Sequence, residues 1–172
     1  MSVPKIINFI WAGKPLPEDS HKIIEGWRTE NPDFQAILWV PQPLPKAVED
    51  VYISRGYEFA SCGQKDSKDS KSIENIIDEV IVNPNTQKGP IIVADINVLF
   101  DKATAYLSKE KLDKLKAIIY YEMNKFIPNY GPWGDLVRYL VSLVFGGVYS
   151  DSDVECLGVL NQELPYGLFD CH

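Results

Sequence analysis

The chain has 172 residues, 45% hydrophobic, 12% aromatic and 24% charged, which describes one packed globular domain and excludes a disordered, collagenous or membrane-embedded chain. Seventeen basic residues against twenty-four acidic ones give a net charge of -7, so nucleic acid and anionic lipid are repelled, and an anionic ligand would need a cation or well-placed basic groups. Three scattered cysteines (Cys62, Cys156, Cys171) and two histidines (His21, His172) argue against a disulfide framework, a zinc site and a Ser-His-Asp triad.

Val3 to Trp11 is a short run of branched and aromatic residues, interrupted by Asn8 and ended by Gly13 and two prolines; it predicts a buried first strand. Lys14-Pro15-Leu16-Pro17 stands where a secretory leader wants small residues, which favours the strand over a leader. Asp19 or Ser20 can cap a helix whose Ile23, Ile24 and Trp27 share a face, and Asn31-Pro32-Asp33 stops it. A second strand is predicted from Phe34 to Val40. Strand, helix, strand over about forty residues opens a parallel α/β sheet.

Ser61 to Ser72 is polar and repetitive, the composition of a mobile loop. Ile73, Ile76, Ile77, Val80 and Ile81 recur at helical spacing, as do Leu112, Leu115, Ile118 and Ile119 beside Lys109, Lys111, Lys114 and Lys116. Both predict helices packed on one side, with the lysines on a solvated face. The expected organisation is a single domain over 1–172, with core segments 3–40 and 130–160 and a helical insertion over about 66–128. No stretch reaches the roughly 18 unbroken apolar residues of a membrane span.

Chemistry concentrates between Tyr130 and Glu155. Leu136, Val137, Leu140, Val141, Leu143, Val144 and Phe145 cover so much of a helix that it should be largely buried. Asp135, Arg138 and Ser142 add one polar stripe at i, i+3 and i+7. A surface Asp135–Arg138 pair would contribute only about 0.2 to 0.5 kcal/mol, and burying it in a core would cost several; a stripe lining a polar pocket avoids both objections. Gly146-Gly147 then caps the helix, and Val148-Tyr149-Ser150 starts a strand presenting Asp151-Ser152-Asp153. In extended structure two carboxylates at i and i+2 share a face and can hold Mn²⁺ or Mg²⁺, with diphosphate oxygens completing the shell.

Three blocks of this chain resemble the DXD-containing sugar transferases of the GT-A fold, which include the glucosylating domain of large clostridial toxins and the yeast-type α-1,6-mannosyltransferases. They are Pro4 to Gly13; Trp27 with Asn31-Pro32-Asp33-Phe34 and Leu38-Trp39; and Gly134-Asp135-Leu136-Val137-Arg138-Tyr139-Leu140 running into Gly146 to Asp153. The resemblance implies a Rossmann-like, mainly parallel sheet flanked by helices. It also implies a retaining glycosyltransferase that moves a hexose or N-acetylhexosamine from a nucleoside diphosphate sugar, with UDP favoured, to a protein or glycan hydroxyl. In that family pattern Trp11 stacks on the donor's base, Asp135 and Arg138 hold ribose and sugar, Asp151 touches ribose or sugar, and Asp153 binds the metal. Catalysis would fall to Asp151, Asp153 and Arg138, and the toxin likeness implies a bacterial effector acting in a host cytosol.

The chain departs from the family at Trp133, Gly134 and Ser150, and Trp133 is expected to reshape the sugar pocket. It ends 19 residues after Asp153, so a sheet incomplete at its C-terminus is expected. Two other functions fit the residues: a nucleotide-sugar-binding module without catalysis, and an interaction domain whose Asp151 and Asp153 are a solvated strand end.

Overall fold

Every residue of Ile6–Ile10 and of Gln35–Val40 is buried, as the apolar runs predict, and the two segments pair in parallel at the centre of a sheet. The computed structural model describes residues 3–61, 71–125, 128 and 130–160. Along them run β1 (Ile6–Ile10), α1 (Glu18–Glu30), β2 (Gln35–Val40), α2 (Lys46–Ser54), β3 (Glu58–Phe59), α3 (Ile73–Val82), β4 (Ile92–Asp95), α4 (Ile96–Ala103), α5 (Lys109–Met123), α6 (Tyr130–Val144) and β5 (Val148–Tyr149). The strands lie in the order β3-β4-β2-β1-β5, all parallel.

A parallel sheet needs cover on both faces. Ile6, Ile10, Ile37, Trp39 and Ala94 pack on one side with Ile76 of α3, Phe100 of α4, Ile119 of α5 and Val137 of α6. Ile7, Phe9, Leu38 and Val93 pack on the other with Ile24 of α1 and Tyr52 of α2. Alternate residues of one strand thus serve opposite layers, the period-two rule of extended chain. The result is the GT-A-like, mainly parallel α/β architecture expected from the sequence.

Several local expectations are corrected. Pro17, not Asp19 or Ser20, is the N-cap of α1, and Glu18 and Asp19 fall in the first turn, where their charge favours the helix dipole. The stretch from 66 to 128 is not purely helical: β4 lies within it, buried and paired to β2. Ile81 and Ile118 are exposed, because each helix buries only one stripe. The predicted mobile loop falls mostly on 62–70, outside the described residues; Ser61 and Ser72 at its ends form a parallel bridge.

Helix α6 also differs from expectation. It packs against α4, α5 and β1 and buries Trp133, Val137, Leu140 and Val141, yet Tyr139 and Leu143 are exposed. Its apolar surface exceeds what these neighbours and β5 cover.

Candidate functional site

The connections place the site. From β1 the chain passes through α1 to β2 on one flank, and from β4 it passes through α4, α5 and α6 to β5 on the other flank of β1. Where consecutive crossovers leave in opposite directions, a crevice opens beyond the carboxyl ends of the two strands, and open α/β sheets bind ligands there. Trp11 directly follows β1, and Asp151 lies two residues beyond β5. Register holds the two strand ends side by side: Asn8 pairs with Tyr149, and the Ser150 amide donates to the Asn8 carbonyl at 3.1 Å.

The β5 wall is polar and tightly connected. Tyr149 and Asp151, two apart, point alike, and the Tyr149 hydroxyl donates to Asp151 Oδ1 at 2.6 Å. From α6, Arg138 lays its guanidinium on the Tyr149 ring, with Cζ 4.4 Å from the centroid, and donates from Nη2 to Asp151 Oδ1 at 3.2 Å and to the Tyr149 hydroxyl at 3.4 Å. Asp135 is ion-paired to the same nitrogen at 3.5 Å. Burial works against the Arg138 charge, but the Tyr149, Asp151 and Asp135 oxygens outweigh it and raise its pKa. Burial, then the hydrogen bond to Asp151, pushes the Tyr149 phenol well above its ordinary value, so it stays a donor. Arg138 Nε is buried with no hydrogen-bond partner. An unpartnered guanidinium N–H is a donor the fold leaves over for a further acceptor.

Backbone fit holds this wall in place. Gly146 closes α6 at φ +67, its amide bonding to the Val141 carbonyl at 3.3 Å, a left-handed cap that glycine adopts without strain. At Gly147, φ +87, an added Cβ would lie 2.6 Å from the Ile6 carbonyl oxygen. Asn8, 1% exposed, donates to the Gly146 and Val148 carbonyls at 3.0 and 3.4 Å and accepts from Trp39 Nε1 at 2.9 Å. The amide that interrupts the apolar run of β1 is therefore a clamp on the strand carrying the carboxylates.

The expectation that Asp151 and Asp153 extend a strand is not met. β5 ends at Tyr149, and Asp151 to Val154 is a turn closed by the Val154 amide on the Asp151 carbonyl at 3.2 Å. β1 runs on to Ile10, but β5 pairs with it only as far as Asn8 before the chain turns away. Asp153 is exposed and makes no hydrogen bond or ion pair among the described residues. Asp151 takes its two side-chain bonds on Oδ1. No group of three or more His, Cys, Asp or Glu side chains converges among the described residues. A divalent ion here would have these two hard carboxylates and would complete its shell with phosphate and water, a donor set that suits Mg²⁺ or Mn²⁺.

The β1 wall is aromatic. Trp11 is fixed by its Nε1 donating to the Lys14 carbonyl at 2.6 Å, and it lines a pocket of about 290 Å³ with Gly13, Gln42, Val48, Tyr52 and Tyr130. Gly13, at φ +93, lets the Tyr130 ring come down on it; a Cβ there would sit 2.6 Å from that ring. Gln42 Nε2 is buried without a partner. A larger pocket, about 480 Å³, opens by Gln35, Glu58 and Ile92, the first residues of their strands, at the opposite end of the sheet.

Arg138 therefore contacts both Asp135 and Asp151, Asp153 stands in the adjoining turn, and Trp11 follows the neighbouring strand β1. Ser142 turns its hydroxyl back to the Arg138 carbonyl at 3.0 Å and leaves the polar stripe. Trp133, expected to reshape a sugar pocket, is 1% exposed in the core, edge-on to Tyr130 at 6.4 Å.

Residues 17–169 match the family of glycosyltransferase sugar-binding regions containing the DXD motif. The chain belongs to that family. The fold of this DXD-region glycosyltransferase chain is that of toxin glycosyltransferase domains. Against the ligand-free glycosyltransferase domain of the YGT toxin the TM-score is 0.57 at 19% identity, covering 90% of this chain and 40% of that one. Against its UDP-bound form the TM-score is 0.56 at 18% identity, with the same coverage. Subversion of eukaryotic traffic protein A of Legionella pneumophila subsp. pneumophila is 27% identical over 168 residues, 96% of this chain and 19% of that protein. The chain thus spans about a fifth of that relative and two-fifths of the toxin domain.

Sequence patterns passed over Tyr149, Asn8 and Gln42. Tyr149 had a usable signal, since it precedes Asp151 by two and a phenol there shares the carboxylate's face. Asn8 had one too: an amide inside a buried parallel strand must find partners. Gln42, among prolines, had none.

Proposed function

We propose that this chain is a metal-dependent, retaining glycosyltransferase domain, transferring a hexose or N-acetylhexosamine from a UDP-sugar to a hydroxyl of a protein or glycan. The observation that carries this function is the Arg138–Tyr149–Asp151 cluster at the crevice between β1 and β5, with a guanidinium N–H buried and unpartnered inside it. Trp11 offers a flat ring for the base, and the Gln42 amide can meet the base's polar edge. The Asp151 and Asp135 carboxylates accept from ribose and sugar hydroxyls, and Arg138 donates to a sugar or phosphate oxygen. Asp153, with Asp151, would hold Mn²⁺ or Mg²⁺, which when bound stabilises charge on the departing diphosphate. The acceptor's proton passes to the leaving phosphate oxygen as the new glycosidic bond forms, so no side-chain base is required. The UDP-bound toxin domain of the same fold supports the uridine donor, and the Legionella relative supports a bacterial effector acting inside a host cell. No helix among the described residues is long and apolar enough to cross a membrane.

The test is hydrolysis of UDP-glucose, UDP-N-acetylglucosamine and GDP-mannose with Mn²⁺ or with chelator. Sugar release from a UDP-sugar that needs Mn²⁺, and that Asp153→Ala lowers on the order of 100-fold, is the expected result. Metal-dependent UDP binding without sugar release would leave a binding module. A melting temperature indifferent to UDP with Mn²⁺ would leave neither, since a ligand that binds only the native state must raise it.

A further inference from the structure

Residues 150–160 contain no helix or strand, so the chain leaving the Asp151–Asp153 turn depends on other elements for hydrogen-bond partners. Two side chains of α1 and its C-cap supply them. Trp27 Nε1 donates to the Val154 carbonyl at 2.7 Å, and Asn31 Oδ1 accepts from the Leu160 amide at 2.6 Å. Asn31 Nδ2 meets Cys156 Sγ at 3.4 Å and the Trp27 carbonyl at 3.1 Å. Neither residue is itself loose: the Trp27 ring packs edge-on to Phe9 of β1 at 6.4 Å, and Asn31 is 0% exposed.

The turn is therefore strung between two fixed points. Ser150 is bound to Asn8 of β1, and Val154, four residues on, is bound to Trp27 of α1. Asp151 has its own side-chain supports in Arg138 and Tyr149. Asp153 has none among the described residues, so the place of its carboxylate is set by the backbone on either side, and the Trp27 bond lies one residue away. A ligand on an exposed turn binds metal well only if its support is fixed beforehand.

We propose that Trp27 and Asn31 are positioning residues that preorganise Asp153 for the divalent ion. This rests on the metal role of Asp153 given above.

The experiment compares the wild-type chain, Trp27→Phe and Asn31→Ser. Mn²⁺ uptake in the presence of UDP is followed by the loss of free-Mn²⁺ electron paramagnetic resonance signal. UDP affinity without metal is measured by calorimetry, and amide hydrogen exchange over 151–160 is read on the metal-free proteins. Trp27→Phe keeps the ring and removes the N–H. It is expected to raise half-saturating Mn²⁺ about tenfold, to speed exchange at the Val154-to-Leu160 amides, and to leave metal-free UDP affinity within about twofold. Asn31→Ser is expected to act in the same direction, and it decides the matter by the same readouts if Trp27→Phe does not fold.

Folded variants with wild-type Mn²⁺ uptake overturn the positioning role while leaving the metal reading intact. An equal loss of metal-free UDP affinity overturns it too, since a merely structural role does that. A wild-type chain that takes up no Mn²⁺ with UDP overturns the metal reading, and the positioning role falls with it.

Discussion

On the β1 side of the crevice, Trp11, Tyr52 and Tyr130 form a wall by packing, each ring backed by hydrophobic core or by a glycine that lets it approach. On the β5 side, Arg138 of α6, Tyr149 of β5 and Asp151 just beyond it form a wall by hydrogen bonds and charge, around a strand only two residues long. The first wall is a by-product of burying apolar side chains. The second must be held from outside, by Asn8 from β1 and by Trp27 and Asn31 from α1, because charged groups at an edge gain little from burial and lose geometry when their backbone moves. Two walls so built should fail differently.

The largest effect is expected at the seam between them. Gly147→Val would drive a branched side chain into the Ile6 carbonyl at a φ that β-branched residues avoid; unfolding in urea should show a loss of roughly 3 kcal/mol or more. The β5 wall then breaks at Arg138. Arg138→Ala should lower donor turnover on the order of 100-fold while the melting temperature barely moves, and Arg138→Lys should not rescue it, since a point charge cannot replace the fork. The β1 wall breaks more gently: Trp11→Ala should weaken UDP binding about tenfold by calorimetry, the value of one stacked base, and leave half-saturating Mn²⁺ unchanged. If Trp11→Ala changed Mn²⁺ uptake as much as UDP affinity, the two walls would be one.

The smallest effect separates them by pH. His21 is 2% exposed, its Nδ1 3.0 Å from the Tyr57 hydroxyl, and it packs edge-on to Tyr52 of the aromatic wall at 5.6 Å. Burial, then the Arg55 charge, lowers its pKa below 6.5, with Glu25 and Glu18 opposing. In the unfolded chain His21 takes its proton at about the ordinary value, whereas the folded chain refuses it until a lower pH. Stability is therefore full above pH 6.5 and declines as pH falls through that value. Urea midpoints between pH 7.5 and pH 5.5 should show this decline in the wild type and a flatter line in His21→Phe.

Much of the fold was legible because the central strands are buried on both faces. Ile6 to Ile10 and the segment ending at Val40 read as strands from apolar content alone, and Ile73, Ile76, Ile77 and Val80 named the buried face of α3. β4 was not legible inside a stretch that scans as helix, since four residues are too few to show a period and their strand state comes from pairing with β2. The site was legible as types and spacing at Asp135, Arg138, Asp151 and Asp153. Its supports were not, because Asn8, Trp27 and Asn31 act across separations of more than a hundred residues, and a local reading assigns them to a strand, a helix face and a helix stop.

By itself the sequence determined the family, the parallel α/β class and the pair of carboxylates, since burial patterns and glycine caps are local consequences of residue type. Only tertiary structure decided that β5 returns to the far side of β1, so that Trp11 and Asp151 follow the ends of neighbouring strands, and that Asp151 to Val154 turns rather than extends. Strand order is a competition among pairings distant in the chain, and no window of sequence contains both partners.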